Sequence, residues 1–261
     1  MPKFLIVACL LITGLGANAQ SWEIGGTVGA AGYMGDLNPN NPLKASGIAA
    51  GGFVKRNFNG YLSAKLAYTY GTIAGADSTS SDAQRRARNL SFMTQLSELS
   101  MVAEFNFMKY IPSVSQNVYT PFIYVGVAYA GYKPQASYNG QIYDLRPLET
   151  EGQNKPYSNT AISIPYGVGI KYNFSGALNV IADIGYRNSN TDYLDDVSGV
   201  YPDKTKMTNP LAAALSDRSG EKTGVYLGTT GTQRGDFRSR DTYWFFGISI
   251  SYTFITQKCY Y

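Results

Sequence analysis

None of the 261 residues is a histidine, so the side chains that could do chemistry are carboxylates, amines, hydroxyls and two thiols. Without imidazole, Ser–His and Cys–His nucleophilic catalysis, histidine general bases and most zinc sites are excluded. A carboxylate-only hydrolase would need two Asp or Glu side chains brought together as acid and base. No loop offers a convincing pair, and the chain is expected not to be an enzyme. No GxxxxGK[ST] phosphate loop occurs either, and no cofactor is expected.

Three groups of reactive or charged residues remain. Asp192, Asp195 and Asp196, followed by Asp203, could offer oxygens to calcium. They miss the D-x-[DN]-x-[DN]-G spacing of an EF-hand loop, so an acidic loop that is solvated or held by hydrogen bonds is the better reading. Arg85, Arg86 and Arg88 could meet lipopolysaccharide phosphates or a partner protein; an ordinary charged surface is the plainer reading. Cys259, in Lys258-Cys259-Tyr260-Tyr261, is a lone thiol once Cys9 is removed with the N-terminal segment. Such a thiol in an oxidising compartment either pairs with another chain or stays a free or capped tail group, and the residues leave both open.

The elements that must position these groups show in the hydrophobic pattern. Met1-Pro2-Lys3, the apolar run from Phe4 to Gly16 and the small-x-small site Ala17-Asn18-Ala19 before Gln20 read as a secretory signal peptide, cleaved between Ala19 and Gln20. Residues 20–261 then form one domain, exported, strand-rich and free of helices. Eight stretches alternate apolar and polar residues at period two, which sorts side chains onto opposite faces of a strand. In the last stretch, Trp244, Phe246, Ile248, Ile250, Tyr252 and Phe254 share one face, with Tyr243, Phe245, Gly247, Ser249, Ser251 and Thr253 on the other. An apolar face tipped with aromatics is the pattern of a transmembrane strand.

The strands are expected near Trp22–Tyr33, Gly47–Phe58, Tyr61–Gly71, Met93–Phe107, Thr120–Tyr132, Ala161–Phe174, Ala177–Asn188 and Asp241–Ile255. Tight turns at Asn57–Gly60 and Ser175-Gly176 and a longer connection at Lys109–Val118 alternate with the polar loops Met34–Ser46, Thr72–Phe92, Lys133–Asn159 and Ser189–Arg240. This is the pattern of an all-β, eight-stranded antiparallel transmembrane barrel in the outer membrane, with short periplasmic turns and long extracellular loops. Outer-membrane lipids are its solvent. The net charge of +4 is too small to point to a partner class, and nucleic acid is not expected.

Eight strands are too few for an aqueous channel, so side chains must fill the interior. The alternation turns Glu23, Lys65, Glu98, Glu104, Lys171, Asp183 and Arg187 inward. A salt-bridged core, in which each buried charge finds a partner, is favoured over a proton path.

Particular residues resemble a known family. Trp22-Glu23-Ile24-Gly25-Gly26 leading to Tyr33-Met34-Gly35-Asp36-Leu37-Asn38, the run Thr191-Asp192-Tyr193-Leu194-Asp195-Asp196-Val197-Ser198-Gly199-Val200-Tyr201, and Asp241-Thr242-Tyr243-Trp244-Phe245 with Lys258-Cys259 together resemble the PorG family, outer-membrane barrels of the type IX secretion system. Here Tyr260-Tyr261 follow the Lys-Cys pair, a departure from the family's usual end. The resemblance implies a non-enzymatic component that associates with a periplasmic ring made by a lipoprotein and its partner protein. In that setting Cys259 is expected to form a disulfide with a ring component. A free-standing barrel acting as an adhesin or ligand-binding protein through its loops is the alternative.

Overall fold

The computed structural model describes residues 21–236 and 238–254. Nine strands form one antiparallel sheet: β1 (Ser21–Met34), β2 (Ala45–Asn57), β3 (Leu62–Ala76), β4 (Ser91–Asn106), β5 (Tyr119–Tyr138), β6 (Gln141–Asp144), β7 (Thr160–Ser175), β8 (Leu178–Ser189) and β9 (Thr242–Phe254). Pairing runs β4-β3-β2-β1-β9-β8-β7-β5, and β4 also pairs with β5, so eight strands close on themselves and no edge is left open. The first and last strands meet over their full length, from Trp22 opposite Phe254 to Met34 opposite Thr242.

The period-two pattern becomes two surfaces. On β9, Phe246, Ile248 and Ile250 are 39%, 49% and 62% exposed while Ser249, Ser251 and Thr253 are buried. The same sorting puts Ile162, Ile164, Tyr166, Val168 and Ile170 of β7 on the outside. Toward the end carrying the short turns, Trp22, Phe105, Phe107, Tyr119, Phe174 and Phe254 are all exposed, an aromatic girdle at the level where ring and headgroup meet. The eight strands of the closed ring have 12 to 16 residues, with one of 20, and exceed the length needed to cross hydrocarbon when tilted. A closed ring that is apolar outside and polar inside is an outer-membrane barrel. Among the described residues no helix is long and apolar enough to span a membrane.

Three differences from the sequence reading matter. Trp244 lies on the outward face but is only 4% exposed, packed over Gly32 on β1, so it does not meet lipid freely. The loops carry three short helices, α1 (Ala83–Arg88), α2 (Pro210–Ser216) and α3 (Gly220–Thr223), so the chain is not helix-free. Asp82 and Asn209 cap the first two by accepting backbone N–H groups, and Pro210 opens α2. Finally, β5 runs six residues past the expected Tyr132 and turns back through Asn139-Gly140 into β6. Both turn residues have positive φ, 50° and 78°, as a two-residue hairpin requires.

A hydrophobic core sits at the end with the long loops. Ala31, Tyr33, Ile73, Phe92, Leu96, Tyr132 and Tyr243 from the barrel wall pack with Leu37, Leu90, Leu145, Leu194, Val197 and Leu215 from the loops. The long segment after β8 is therefore a folded cap seated in the mouth.

Candidate functional site

The lumen holds all seven charges selected from the alternation, and one more. Lys55 on β2 is fully buried beside Glu23 and Glu104, so acids and bases balance: Glu23, Glu98, Glu104 and Asp183 face Lys55, Lys65, Lys171 and Arg187. Glu104 on β4 is the hub of the periplasmic half. Lys171, Lys55 and Lys65 reach its carboxylate at 2.7, 3.2 and 3.1 Å, and Lys55 also meets Glu23 at 3.3 Å. Asn106 accepts from Lys171 at 2.9 Å and Ser251 donates to Glu23 at 2.6 Å, drawing further strands into the seal at this end. Nearer the mouth, Arg187 Nε pairs with Glu98 at 3.3 Å, Tyr243 donates to Glu98 at 2.7 Å, and Tyr124 donates to Asp183 at 3.1 Å. A Cβ at Gly167 or Gly185 would overlap the Tyr124 ring end, so glycine there is what lets the phenol reach across. Between the two halves a void of about 50 Å³ is lined by Thr27, Lys65, Ser100, Tyr124 and Asp183. It has room for a few waters that would complete polar contacts.

The outer mouth is held by carboxylates instead. Tyr33 Oη, at the top of β1, donates to Asp195 of the cap and, at 3.2 Å, to Asp241 at the start of β9. The run Asp192–Gly199 turns sharply here. Asp241 Oδ2 accepts the Leu194 N–H at 3.0 Å, Asp195 accepts the Val197 N–H at 2.9 Å, and Thr94 of β4 donates to the Leu194 carbonyl at 2.5 Å. Asp196 accepts from Thr150 and Tyr157, each at 2.5 Å. Arg234 donates to Glu151 at 2.9 Å and to the Asp196 carbonyl at 2.7 Å, while Glu151 accepts the N–H groups of Ser198 and Gly199. Tyr132, Tyr157 and Tyr193 stack in a column beside it.

Burial and mutual repulsion shape the acidity of these groups. Asp36 is pushed up to about 8, by burial first and by the charge of Asp236 second. Burial, then neighbouring aspartates, hold Asp195 and Asp241 well above the usual carboxylate range. Burial also raises Asp192 and Asp196 to about 6, Arg234 partly opposing it at Asp196. The mouth is thus a hydrogen-bonded knot of carboxyl groups in which protons are favoured guests.

A sequence family described as a domain of unknown function, DUF6089, matches residues 2–230. The chain belongs to the DUF6089 family. No curated protein matches it in sequence. Among solved structures, this DUF6089 chain is similar to the N-terminal β-barrel domain of Pseudomonas aeruginosa OprF (14% identity, TM-score 0.38, 90% of this chain and 97% of that one). It is also similar to Neisserial surface protein A (10%, 0.43, 89% and 97%) and to a major outer membrane protein from Thermus thermophilus (14%, 0.43, 91% and 100%). Likeness at this level carries no argument of its own, and the membrane placement rests on the barrel's own two surfaces.

The aspartates of the acidic loop turn to separate partners in the DUF6089 chain. Asp203 accepts the Thr205 N–H at 3.1 Å, and Asp195 and Asp196 are turned to Tyr33 and to Thr150 with Tyr157. The carboxylates that do come within 4.8 Å of one another among the described residues are Asp36 of the β1–β2 loop and Asp192 and Asp241 from the two ends of the β8–β9 connection, and both oxygens of Asp241 already accept hydrogen bonds. The three arginines do not form one basic surface. Arg88 turns inward, pairs with Asp77 at 2.7 Å and donates to the carbonyls of Asp36 and Arg234. The sequence pattern does not single out Lys55, Glu151 or Arg234, and it gives Tyr33 only within the PorG-like run. Alternation with Phe53 marks Lys55 as inward; nothing local marks Glu151 or Arg234. Ala19, Gln20 and Cys259 lie outside the described residues.

Proposed function

We propose that this barrel is a non-enzymatic component of the type IX protein secretion system and anchors the periplasmic ring complex, a lipoprotein with its partner protein, to the outer membrane. The observation that supports this most is where the PorG-like segments meet. Tyr33 to Asn38, Thr191 to Tyr201 and Asp241 to Phe245 are far apart in the chain, yet their side chains join in the one knot around the Tyr33 hydroxyl. Scattered chance similarities would have no reason to form a single unit. A barrel sealed by paired charges and a folded cap also suits an anchor better than a channel. In this reading Cys259, in the tail that follows β9, forms a disulfide with the ring lipoprotein, a step favoured by the high effective concentration of two partners held at one membrane.

Crosslinking followed by affinity purification from outer membranes tests the role. Recovery of the ring lipoprotein and its partner is expected, and their absence would overturn the anchoring. Non-reducing electrophoresis should also show a heavier, reductant-sensitive species that Cys259→Ser removes; if both proteins run alike as monomers, only the covalent link fails.

One observation favours a second reading, a barrel that binds a ligand or surface through its loops. A polar cleft of about 660 Å³ opens between the segment around Glu149–Asn154 and the segment from Pro202 to Ala212. Loss of cell adhesion on replacing these segments, with no ring proteins recovered, would select it.

A further inference from the structure

Along the outer rim above β2, β3 and β4, positive charge and apolar side chains are exposed together. We infer that Lys44, Arg86 and Lys222, with Val225, Tyr226 and Leu227, form a footing on the phosphate-bearing lipids of the outer leaflet. This goes beyond the ring-anchoring role and does not depend on it.

The placement follows from the contacts. Lys44 immediately precedes β2 and donates to Thr79 of the β3–β4 loop at 2.9 Å. Arg86 lies on α1 in that loop. Because Arg88 on the same helix turns inward to Asp36 and Arg234, a residue two positions earlier, ~200° around the helix, points away from the barrel axis. The segment carrying Lys222 and the apolar triplet is pinned to the same sector: Arg218 donates to Ser91, the first residue of β4, at 2.9 Å, and Asn89, the C-cap of α1, donates to the Arg218 carbonyl at 3.2 Å.

The chemistry of the patch is that of a lipid headgroup contact. Val225, Tyr226 and Leu227 are 60%, 63% and 52% exposed, three consecutive apolar residues turned outward where Leu194, Val197 and Leu215 of the same connection are buried. Tyr226 keeps its ring between Gly220 and the Lys204 ammonium, 4.6 Å from its centroid. The carboxylates nearby are committed: Asp77 to Arg88, Glu221 to Arg218, and Asp82 to the N–H groups that open α1. Among the described residues, Lys44, Arg86 and Lys222 have no carboxylate within ion-pair distance, whereas Lys133 and Lys206 across the mouth pair with Asp144 and Asp203. Arg86 is steadied by the Ser80 and Ser81 carbonyls and Lys44 by Thr79, which leaves their charge without a carboxylate. Cations so placed beside exposed tyrosine and aliphatic groups, on a barrel already fixed in the bilayer, match an interface of phosphates over acyl chains.

The test uses the purified full-length barrel in detergent, with native mass spectrometry reading bound lipid. Three probes are compared: diphosphoryl lipid A, the same lipid stripped of its phosphates, and inorganic phosphate as competitor. The phosphorylated lipid should bind at least about tenfold tighter than the stripped one, the scale expected of two or three Lys or Arg contacts. Lys44→Gln/Arg86→Gln/Lys222→Gln should remove most of that difference. Val225→Ser/Leu227→Ser should weaken both lipids, and Lys133→Gln/Lys155→Gln/Lys206→Gln, equal in charge lost, should change neither. Heat-modified gel mobility confirms that each variant is folded. Equal binding of the two lipids, or equal loss in both triple variants, would overturn the footing, and so would full displacement by inorganic phosphate, which would mark a free-anion site. Loss of ring proteins with lipid binding intact would bear on the anchoring role alone.

Discussion

Glu104→Gln should be the most damaging isosteric change inside the lumen. It keeps the side chain's shape and removes the charge that three ammonium groups share, Lys171 at 2.7 Å, Lys55 at 3.2 Å and Lys65 at 3.1 Å. Glu23, 3.3 Å from Lys55, is then the carboxylate left in direct contact with these lysines, and Asp183 faces Lys65 only across the void. Removing one partner of a buried charge set strands the others in low dielectric and typically costs about 3–5 kcal/mol. Glu23→Gln is the internal comparison: Glu23 meets a single lysine and otherwise accepts from Ser251 and Asn57, so its loss should cost about 1.5–3 kcal/mol, the scale of a charged hydrogen bond. Glu104→Gln/Lys171→Met should recover part of the loss, because trading a buried pair for apolar groups of similar volume is often neutral or stabilising. Equilibrium urea unfolding of the full chain in lipid vesicles, followed by the fluorescence of its two tryptophans and by gel mobility, measures all three. A Glu104→Gln barrel within about 0.5 kcal/mol of wild type, Glu23→Gln the worse of the two, or no recovery in the double variant would refute the charge-hub reasoning.

Ile248→Arg, 49% exposed in the middle of β9's outer face, should destabilise the folded barrel by roughly 2–4 kcal/mol, and Phe254→Arg at the rim by no more than about 1 kcal/mol; vesicle unfolding reads the contrast. Purified protein in planar bilayers should carry no sustained current, and reproducible channels would contradict a lumen filled by paired charges and a seated cap. The cap should loosen as pH rises. Asp36, Asp192 and Asp196 have folded values raised to about 8, 6 and 6 from 3.8, so their protons stabilise the fold below about 4, and that contribution is lost as pH passes through 6 and then 8. Near-UV circular dichroism melts should show a lower cap transition at pH 9 than at pH 5, and Asp36→Asn should flatten the upper part of that profile.

How far the sequence could be read depended on whether a residue's fate is set by its neighbours in the chain. The strands were legible because period two is local: Ser249 and Ile250 are sorted by the pleat alone. Seven lumen charges followed from the same rule. Lys55 escaped because Arg56 beside it blurs the alternation, although Arg56 points outward over the Trp22 ring. The β5–β6 hairpin has a local signal in Asn139-Gly140, but the polar residues around it mask the short strand that follows. The cap had little beyond the Asn209-Pro210 start of α2. Leu194 and Val197 follow no strand period, Ala212 and Leu215 show helical spacing only over the 7 residues of α2, and Asp36 lies in a different loop from Asp192 and Asp241, joined to them only by the closed ring. Trp244 was placed on the right face, but its burial against Gly32 depends on the register between β1 and β9.

The Tyr33 hydroxyl ties the first strand to residues 162 and 208 positions later in the chain. These bonds cannot exist in a half-inserted barrel, since Asp241 reaches Tyr33 only once β9 has docked on β1. Loop-closure entropy over such separations is repaid last. The cap therefore doubles as a seal of assembly. A chain whose Thr191–Gly199 run resists protease has finished its insertion, and one whose run is cut is still open between its first strand and its last.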